Sequence, residues 1–588
     1  MLLERLREYA EERLTDLPPP MYQLQPVRYV LVLTSDGRCL DVVDTADSSK
    51  EGRRGLRRPA PHVKRTKDVR PKALADTGVY ALGFGGVGSS PERVARQHAA
   101  FVELVHRCVA ATGEPSVAAV ATFLDGLDVD ELRLPPDFDQ GATLTFRVGD
   151  VYPIDLPSVR SFWAALQAPG RDDGSTTPMT CIACGNERQV LERHPIKIRG
   201  IPGGQTLKDL ISGNASAFES YGLSASQIAP TCLPCAEAYA NALNALLADR
   251  DTSLWTNRAV YALWTRVEHP WNPARLLAEP QRRRPEIRGM VEARSPRSSA
   301  AATLDATAVY AVGLRASGAR VVVSDWIDTT VGEAQLRMGR YFALQELVDA
   351  YGAPWEPAGL GRLLGGTVRD PRRDAVPALA IHALARLALA GTPLPLDVLY
   401  LAVRRNRAER DVSPARAMLI KMVLGSRPDR PPGGEGWMSD LEPASTEPAY
   451  LCGRLLAVLD AIQAQAIASL SASVVDRYLG AASSAPASVF DTLMPGAQAH
   501  MGKLRRDRPG VHHRLEETLE TIVAPLSSFP KTLTLEQQGL FALGFYHQRA
   551  SDRRAARERK EARENPKTDA TVDAAVDAPA AESTDAPA

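Results

Sequence analysis

Four cysteines carry the clearest chemistry in this chain. Cys181-Ile-Ala-Cys184 and Cys232-Leu-Pro-Cys235 form two CxxC pairs with 47 residues between them. Two such knuckles supply four soft thiolates, a set that tetrahedral zinc accepts at about 2.3 Å per Zn–S bond. The spacing exceeds that of a minimal zinc ribbon, and an inserted lobe would fill the gap. A closed four-thiolate shell leaves no position for a reactive water, so the zinc expected here is structural. The alternative is four unrelated buried thiols. A redox dithiol fits less well, because the two pairs come together on either side of one segment. Cys39, Cys108 and Cys452 stand alone and read as ordinary core residues.

The second chemical feature is charge. Arg53, Arg54, Arg57, Arg58, Lys64, Arg65, Lys67, Arg70 and Lys72 place nine cations in twenty residues, against one acid, Asp68. Pro59, Pro61 and Pro71 keep this stretch out of a long helix and hold it extended. A basic loop of this kind suits contact with DNA phosphates, because it neutralises charge and releases counterions. An Arg or Lys at its tip could also reach a guanine edge or enter the minor groove. The alternative is a solvated charged loop. Smaller clusters at Arg282–Arg284, Arg372-Arg373 and Arg404-Arg405-Arg407 read as solvated faces.

Gly83-Phe-Gly85-Gly-Val-Gly88 matches a dinucleotide-binding fingerprint in letters, with an expected strand before it and a helix after it. No second parallel strand ending in an acid follows at the right distance, so a glycine-rich turn is the preferred reading. No Walker lysine motif, His-Glu-x-x-His or Gly-x-Ser-x-Gly is present, and the ten histidines are scattered. No credible nuclease centre is found, and a non-enzyme is expected.

The elements that must hold these groups follow from the rest of the chain. At 588 residues it is too long for one core. With 70 basic and 70 acidic residues, any nucleic-acid contact must come from local patches. No stretch reaches the ~18 apolar residues needed to span a membrane. An odd number of cysteines in a long chain argues for a reducing, cytoplasmic setting. The pattern predicts an opening amphipathic helix over Leu2–Leu14 and a hairpin from Val27–Leu33 and Cys39–Val43 across Ser35-Asp36-Gly37. It predicts a strand at Val79–Leu82 and helices over Pro91–Ala111 and Ser116–Leu124. Glu279–Arg297 reads as a linker or flexible loop, and strands are expected at Ala306–Leu314 and Arg320–Ile327. From about Asp374 the pattern is helical, interrupted by Arg427–Glu435. Ser551–Ala588, nearly devoid of large apolar groups, is expected to be disordered.

The fold class expected is therefore α+β multidomain, with a mixed α/β N-terminal part, a four-cysteine zinc-binding insertion and a mainly α-helical C-terminal bundle. Five regions are expected. They are an N-terminal α+β domain (1–175), a cysteine region (176–250), a central α+β region (251–373), a helical bundle (374–550) and a tail (551–588).

Several ordered blocks are more specific than any of these short motifs. One runs from Asp476-Arg-Tyr-Leu-Gly480 through Pro486 and Phe490 to Phe529-Pro530. Another is Leu535-Glu-Gln-Gln-Gly539-Leu-Phe-Ala-Leu-Gly544-Phe-Tyr-His-Gln548. His194-Pro-Ile-Lys197-Ile-Arg-Gly200-Ile-Pro202-Gly-Gly-Gln205, followed by Phe218-Glu-Ser-Tyr-Gly222, is a third. Leu17-Pro-Pro-Pro20, Arg70-Pro-Lys72-Ala-Leu74-Ala-Asp76, Tyr80-Ala-Leu82-Gly83 and Thr330-Val-Gly-Glu333 complete the set. Over about residues 1–549 this pattern resembles the large subunit of the type I-C CRISPR surveillance complex (Cascade), the Cas8 family.

The resemblance implies a non-catalytic subunit in antiviral defence. Such a subunit works with crRNA and the backbone, crRNA-binding and small subunits of Cascade. It would inspect duplex DNA for the protospacer-adjacent motif (PAM), promote the R-loop and support recruitment of a separate helicase-nuclease. Guide pairing reads the target, while protein reads the short flanking motif. It also implies that the C-terminal helices resemble the small subunit, which in this family can start internally; Met418, Met422 and Met438 are available starts. Lys197 and Arg199 become possible nucleic-acid contacts, with a rigid structural loop as the alternative. Relatives often carry Asn-Phe where this chain has Lys72-Ala73, so its way of reading the flanking motif could differ. Two other readings stay open: a metal-dependent nuclease, and a stand-alone zinc-ribbon nucleic-acid binder.

Overall fold

The computed structural model describes residues 2–14, 19, 21–47, 54–63, 65, 69–86, 89–167, 178–192, 194, 196–213, 215–256, 258–293, 305–428 and 437–564. Arg53, Lys64 and Lys67 of the basic segment lie outside them, as do 294–304, 429–436 and 565–588. The chain divides into two compact units, Met1–Ala248 with Ala316–Val322, and Asp249–Arg315 with Val323–Ala588. The fold class is the mixed one, with α/β sheets in the N-terminal part, helices in the C-terminal part and a cysteine cluster that could hold a metal.

In the first unit, α1 (Leu2–Arg13) is followed by β1 (Tyr22–Val27), β2 (Tyr29–Leu33), β3 (Cys39–Asp44), β4 (Leu56–Pro61) and β5 (Ala75–Thr77). Next come α2 (Gly78–Ala81), α3 (Pro91–Thr112), α4 (Pro115–Asp125), β6 (Thr143–Val148) and α5 (Pro157–Leu166). The short pair β7 (Met179–Thr180) and β8 (Glu187–Arg188) precedes α6 (Leu233–Ala248). The main sheet has the order β3-β2-β6-β5. The β2–β3 hairpin turns at Gly37, whose φ of +85° is open to glycine. A parallel β2–β6 pair closes the sheet's centre. Tyr29, Leu31 and Phe146 from the sheet meet Phe101, Val105 and Cys108 of α3 in one core.

Two local expectations fail here, for identifiable reasons. Val79–Leu82 is helical rather than extended. Leu82 N–H reaches Gly78 O at 3.0 Å, a single turn too short to show a period. The dinucleotide fingerprint thus follows a helix and lacks its strand. Part of the expected basic loop is strand β4, paired antiparallel with β1 from Tyr22↔Pro61 to Val27↔Leu56. In a two-stranded ribbon, prolines can sit on edges whose N–H faces no partner.

The second unit begins with β9 (Ser253–Trp255) and β10 (Val260–Thr265), α7 (Pro273–Ala278) and α8 (Arg284–Ala293). The long hairpin of β11 (Ala308–Ser317) and β12 (Arg320–Thr330) completes a sheet of order β12-β11-β10-β9. Among the described residues ten helices follow: α9 (Val331–Ala343), α10 (Leu360–Gly365), α11 (Ala378–Ala390), α12 (Leu396–Glu409), α13 (Pro414–Ser426), α14 (Pro448–Ala466), α15 (Val474–Ala482), α16 (Pro486–Asp507), α17 (Pro509–Val523) and α18 (Leu535–Glu564).

The expected linker from Glu279 is instead a 3-10 turn and helix α8. Pro280 and Pro285 sit at helix starts, where a missing N–H costs nothing. Ile287 and Met290 are buried, and an added Cβ on Gly339 of α9 would meet Met290 O at 2.3 Å. Residues 551–564, assigned to a disordered tail by composition, continue α18. Arg, Glu and Ala are strong helix formers, and the pairs Arg557–Glu561 and Lys560–Glu564 lie one turn apart.

Helices α14 and α18 form the centre of the bundle, and they approach through two glycines. A Cβ on Gly453 would stand 2.0 Å from Phe541 O, and one on Gly544 would stand 2.1 Å from Tyr450 O. The block Leu535–Gln548 is therefore core. Thr534 Oγ1 accepts the Gln537 amide, and Tyr546 Oη donates to Val348 O at 2.8 Å. Tyr450 Oη meets His547 Nδ1 at 2.9 Å, and Arg454 Nε donates to Gln548 at 3.1 Å.

Candidate metal centre and nucleic-acid interface

Cys181 and Cys184 lie in the turn after β7. Cys232 immediately precedes α6 and Cys235 is in its first turn. Gly185, at φ +73°, lets its N–H fold back to Cys181 O at 2.8 Å and closes the first knuckle. The second closes where Ala236 N–H meets Cys232 O at 3.0 Å. Backbone bonds then join the two: Ile182 N–H to Pro230 O and Leu191 N–H to Thr231 O, both 2.9 Å, and Cys232 N–H to Cys181 Sγ at 3.4 Å.

All four sulfurs lie within 4.8 Å of one another. Tetrahedral bonds of about 2.3 Å call for sulfurs about 3.8 Å apart, so a small contraction would seat an ion, and the donor set fits. Burial raises a thiol's pKa. At Cys181 the backbone amides of Cys232, Ala183 and Cys184 overcome burial and bring it down to about 7. At Cys235 burial dominates, and the thiol pKa is raised. Leu3 of α1 packs against the cluster. Farther along α6, Glu237 accepts the Met21 amide at 2.6 Å, and burial pushes its carboxyl up to about 7. The cluster thus anchors α6, and α6 anchors the chain entering β1.

The basic residues fare unequally. Arg54 and Arg57 are exposed, and Arg57 reaches Leu24 O at 3.3 Å. Arg58 pairs with Asp155 and stacks over Tyr152 at 3.8 Å. Arg65 pairs with the fully buried Asp76 and stacks over Tyr80 at 3.9 Å. Lys72 donates its amide to Asp76 at 2.8 Å and its ammonium to Gln25 at 3.3 Å. Burial, with Arg65 nearby, lowers the Lys72 pKa against the pull of Asp76. Arg70 is exposed, and its carbonyl accepts from Arg65 at 2.8 Å. Arg58, Arg65 and Lys72 are therefore built into the fold as well as charged.

Lys197 pairs with Asp209, and Asn244 of α6 pins the next residues by accepting the Arg199 amide at 2.9 Å and donating to Lys197 O at 3.0 Å. The Arg199 side chain is left exposed.

One residue that motif reading missed connects these two groups. His62, just past β4, is held neutral, with its pKa pushed down to about 4. Burial is the first cause, and the charges of Lys72, Arg199 and Arg65 follow. The basic segment and the Lys197–Arg199 block, far apart in sequence, thus contribute cations to one spot. A histidine among Arg and Lys gives no periodic signal, and nothing local in the sequence could have found it.

The sign of its effect on stability follows. The unfolded chain takes up a proton at His62 as pH falls through about 6.5, and the folded chain resists until about 4. His62 therefore contributes fully above pH 6.5, and up to about 1.4 kcal/mol is lost per pH unit below it. Urea melts at pH 7 and 5.5 check this, with His62→Gln expected to flatten the loss by about one proton. An unaltered slope would remove His62 from the account.

No helix among the described residues is long and apolar enough to cross a membrane. No curated protein matches the chain. A family model described as CRISPR-associated protein (Cas_Csd1) matches residues 3–552. That span takes in the cysteine cluster, the cationic site around His62 and the glycine-paired helices, and the chain belongs to the CRISPR-associated Cas_Csd1 family.

Proposed function

We propose that this chain is the non-catalytic large subunit of a type I-C Cascade complex, which reads the PAM in duplex DNA beside a guide RNA. The observation that carries the DNA-contacting part is the convergence of Arg65, Lys72 and Arg199 on His62, with Arg54 and Arg57 exposed on the adjoining ribbon. A cation held in place, as Arg65 is by Asp76 and Tyr80, loses little conformational freedom when phosphates arrive. The cysteine site would hold zinc as a structural ion, since four thiolates close the tetrahedron. Backbone, crRNA-binding and small subunits, crRNA and a recruited helicase-nuclease are the partners, in the cytoplasm. A separate small-subunit product starting at Met438 would keep α14–α18 whole, whereas starts at Met418 or Met422 would cut α13.

The test is salt-dependent duplex binding by the guide-loaded complex. Replacing Arg54, Arg57 and Arg199 by Gln is expected to weaken binding and to reduce the salt slope by about one for every phosphate no longer neutralised. Assembly should be intact, because all three side chains are exposed. An unchanged slope removes this surface from the interface. Cleavage of labelled DNA or RNA by the purified chain with Mg²⁺ or Mn²⁺ would overturn the non-catalytic reading.

A further inference from the structure

An exposed aromatic residue stands apart from both sites. Leu223 N–H bonds to Ser220 O at 2.9 Å, closing a tight turn with Tyr221 and Gly222 at its centre. Their φ angles are +53° and +71°, the pattern of a type I′ turn. Gly222 suits that turn, but a bulky L-residue at Tyr221 is strained. The Tyr221 ring is 99% exposed, so no packing inside the protein offsets the strain. Residues 215–222 are all exposed. Beside this turn, Phe218 is 44% exposed with the Arg320 guanidinium stacked over its ring at 4.0 Å. Arg320 belongs to a hairpin tip bonded to the 205–209 segment through Val321 N–H to Asp209 O at 2.9 Å.

We infer that Tyr221 is a stacking site for an unpaired nucleobase of single-stranded nucleic acid, with the Arg320–Phe218 pair supplying positive charge beside it. The inference rests on the nucleic-acid reading proposed above. A protein partner would need apolar area around a central anchor. Around Tyr221 stand Glu219, Ser220 and Gly222, and the one exposed apolar ring beside the turn, Phe218, is covered on one face by Arg320, so the apolar area is small. A lone flat ring with both faces open suits another flat ring, and every base has such a face. A base inside a duplex is already stacked on both sides, so the ligand must be unpaired. The turn fixes the backbone from which the ring projects, which lowers the cost of ordering it on binding.

The full chain is titrated with a short single-stranded DNA carrying 2-aminopurine, and in parallel with a duplex. Tyr221→Ala is expected to weaken single-strand binding about 5- to 100-fold and to abolish quenching of the probe. Tyr221→Trp should keep both, and Tyr221→Leu should lose both. The duplex arm should be unchanged by all three. Tyr221→Asn, favoured in this turn, is expected to raise the Tm while losing single-strand binding, which a purely structural role would not produce. Equal single-strand binding by Tyr221→Ala and the parent overturns the inference. If the duplex arm still responds to the Arg54, Arg57 and Arg199 changes, only the stacking inference falls. If the parent does not bind the single strand, the stacking inference falls, and duplex binding by the guide-loaded complex still decides the reading on which it rests. If Tyr221→Ala loses a partner protein and keeps the single strand, the turn is a protein contact and the inference is wrong.

Discussion

Cys232→Ser is expected to destabilise the first unit by on the order of 4 kcal/mol or more and to lower its Tm by about 10 °C. The physical basis is specific. Cys232 joins the two knuckles, since its N–H reaches Cys181 Sγ while its carbonyl starts α6. Removing one thiolate leaves the buried Cys181 and Cys235 and the half-buried Cys184 without the ion that would balance their charge, and it frees the N-terminus of α6. That helix packs along α1 and holds the Met21 amide through Glu237, so the loss should spread to the start of β1. An ion that binds only the folded state stabilises it by mass action, and a strong chelator should therefore reproduce the effect in the parent protein and add little in Cys232→Ser. Calorimetry with and without chelator, alongside a metal assay, checks both parts. Cys39→Ser is the control, because that thiol stands apart from the cluster. Purified protein without bound metal, or melting indifferent to chelator, would end the claim.

Gly544→Val is expected to cost more than about 3 kcal/mol in the second unit, and Gly544→Ala somewhat less. A Cβ 2.1 Å from Tyr450 O cannot be accommodated by a rotamer change, because the opposing atom is backbone. Helices α14 and α18 must separate, loosening the Tyr450–His547 and Arg454–Gln548 bonds between them. Alanine's better helix propensity returns only about 1 kcal/mol. Gly453 faces Phe541 O in the same crossing, so a single separation relieves both clashes. The double Ala variant should therefore cost less than the sum of the singles by at least about 0.5 kcal/mol. Denaturant melts of the four proteins form the cycle. Additive losses would mean that the two contacts are independent.

These two sites differ in how far the sequence exposed them. The cysteine pairs were legible because metal chemistry admits few residue types at few spacings. Their closure across 47 residues needed only that the lobe between them fold back. The Leu535–Gln548 block was legible as a specific run, but nothing in its letters said why glycine stood at 544. The reason is a carbonyl on a helix about ninety residues earlier. The errors follow the same line. A four-residue turn at Gly78–Ala81 shows no period, prolines at helix starts imitate a linker at Glu279, and a charged helix from 551 to 564 imitates disorder.

By itself, then, the sequence determined the two cysteine pairs that could hold a metal, the mixed-then-helical order of elements and the concentration of cations between Arg53 and Lys72. Each of these depends on local composition or short-range spacing, which the chain carries in its own order. Only the tertiary structure decided which cations are committed inside the fold, as Arg58 and Arg65 are, and which stay exposed, as Arg54 and Arg199 do. It alone brought Arg199 to His62 and left Tyr221 standing in solvent. Charge and burial act through distance in space, and distance along the chain does not encode them.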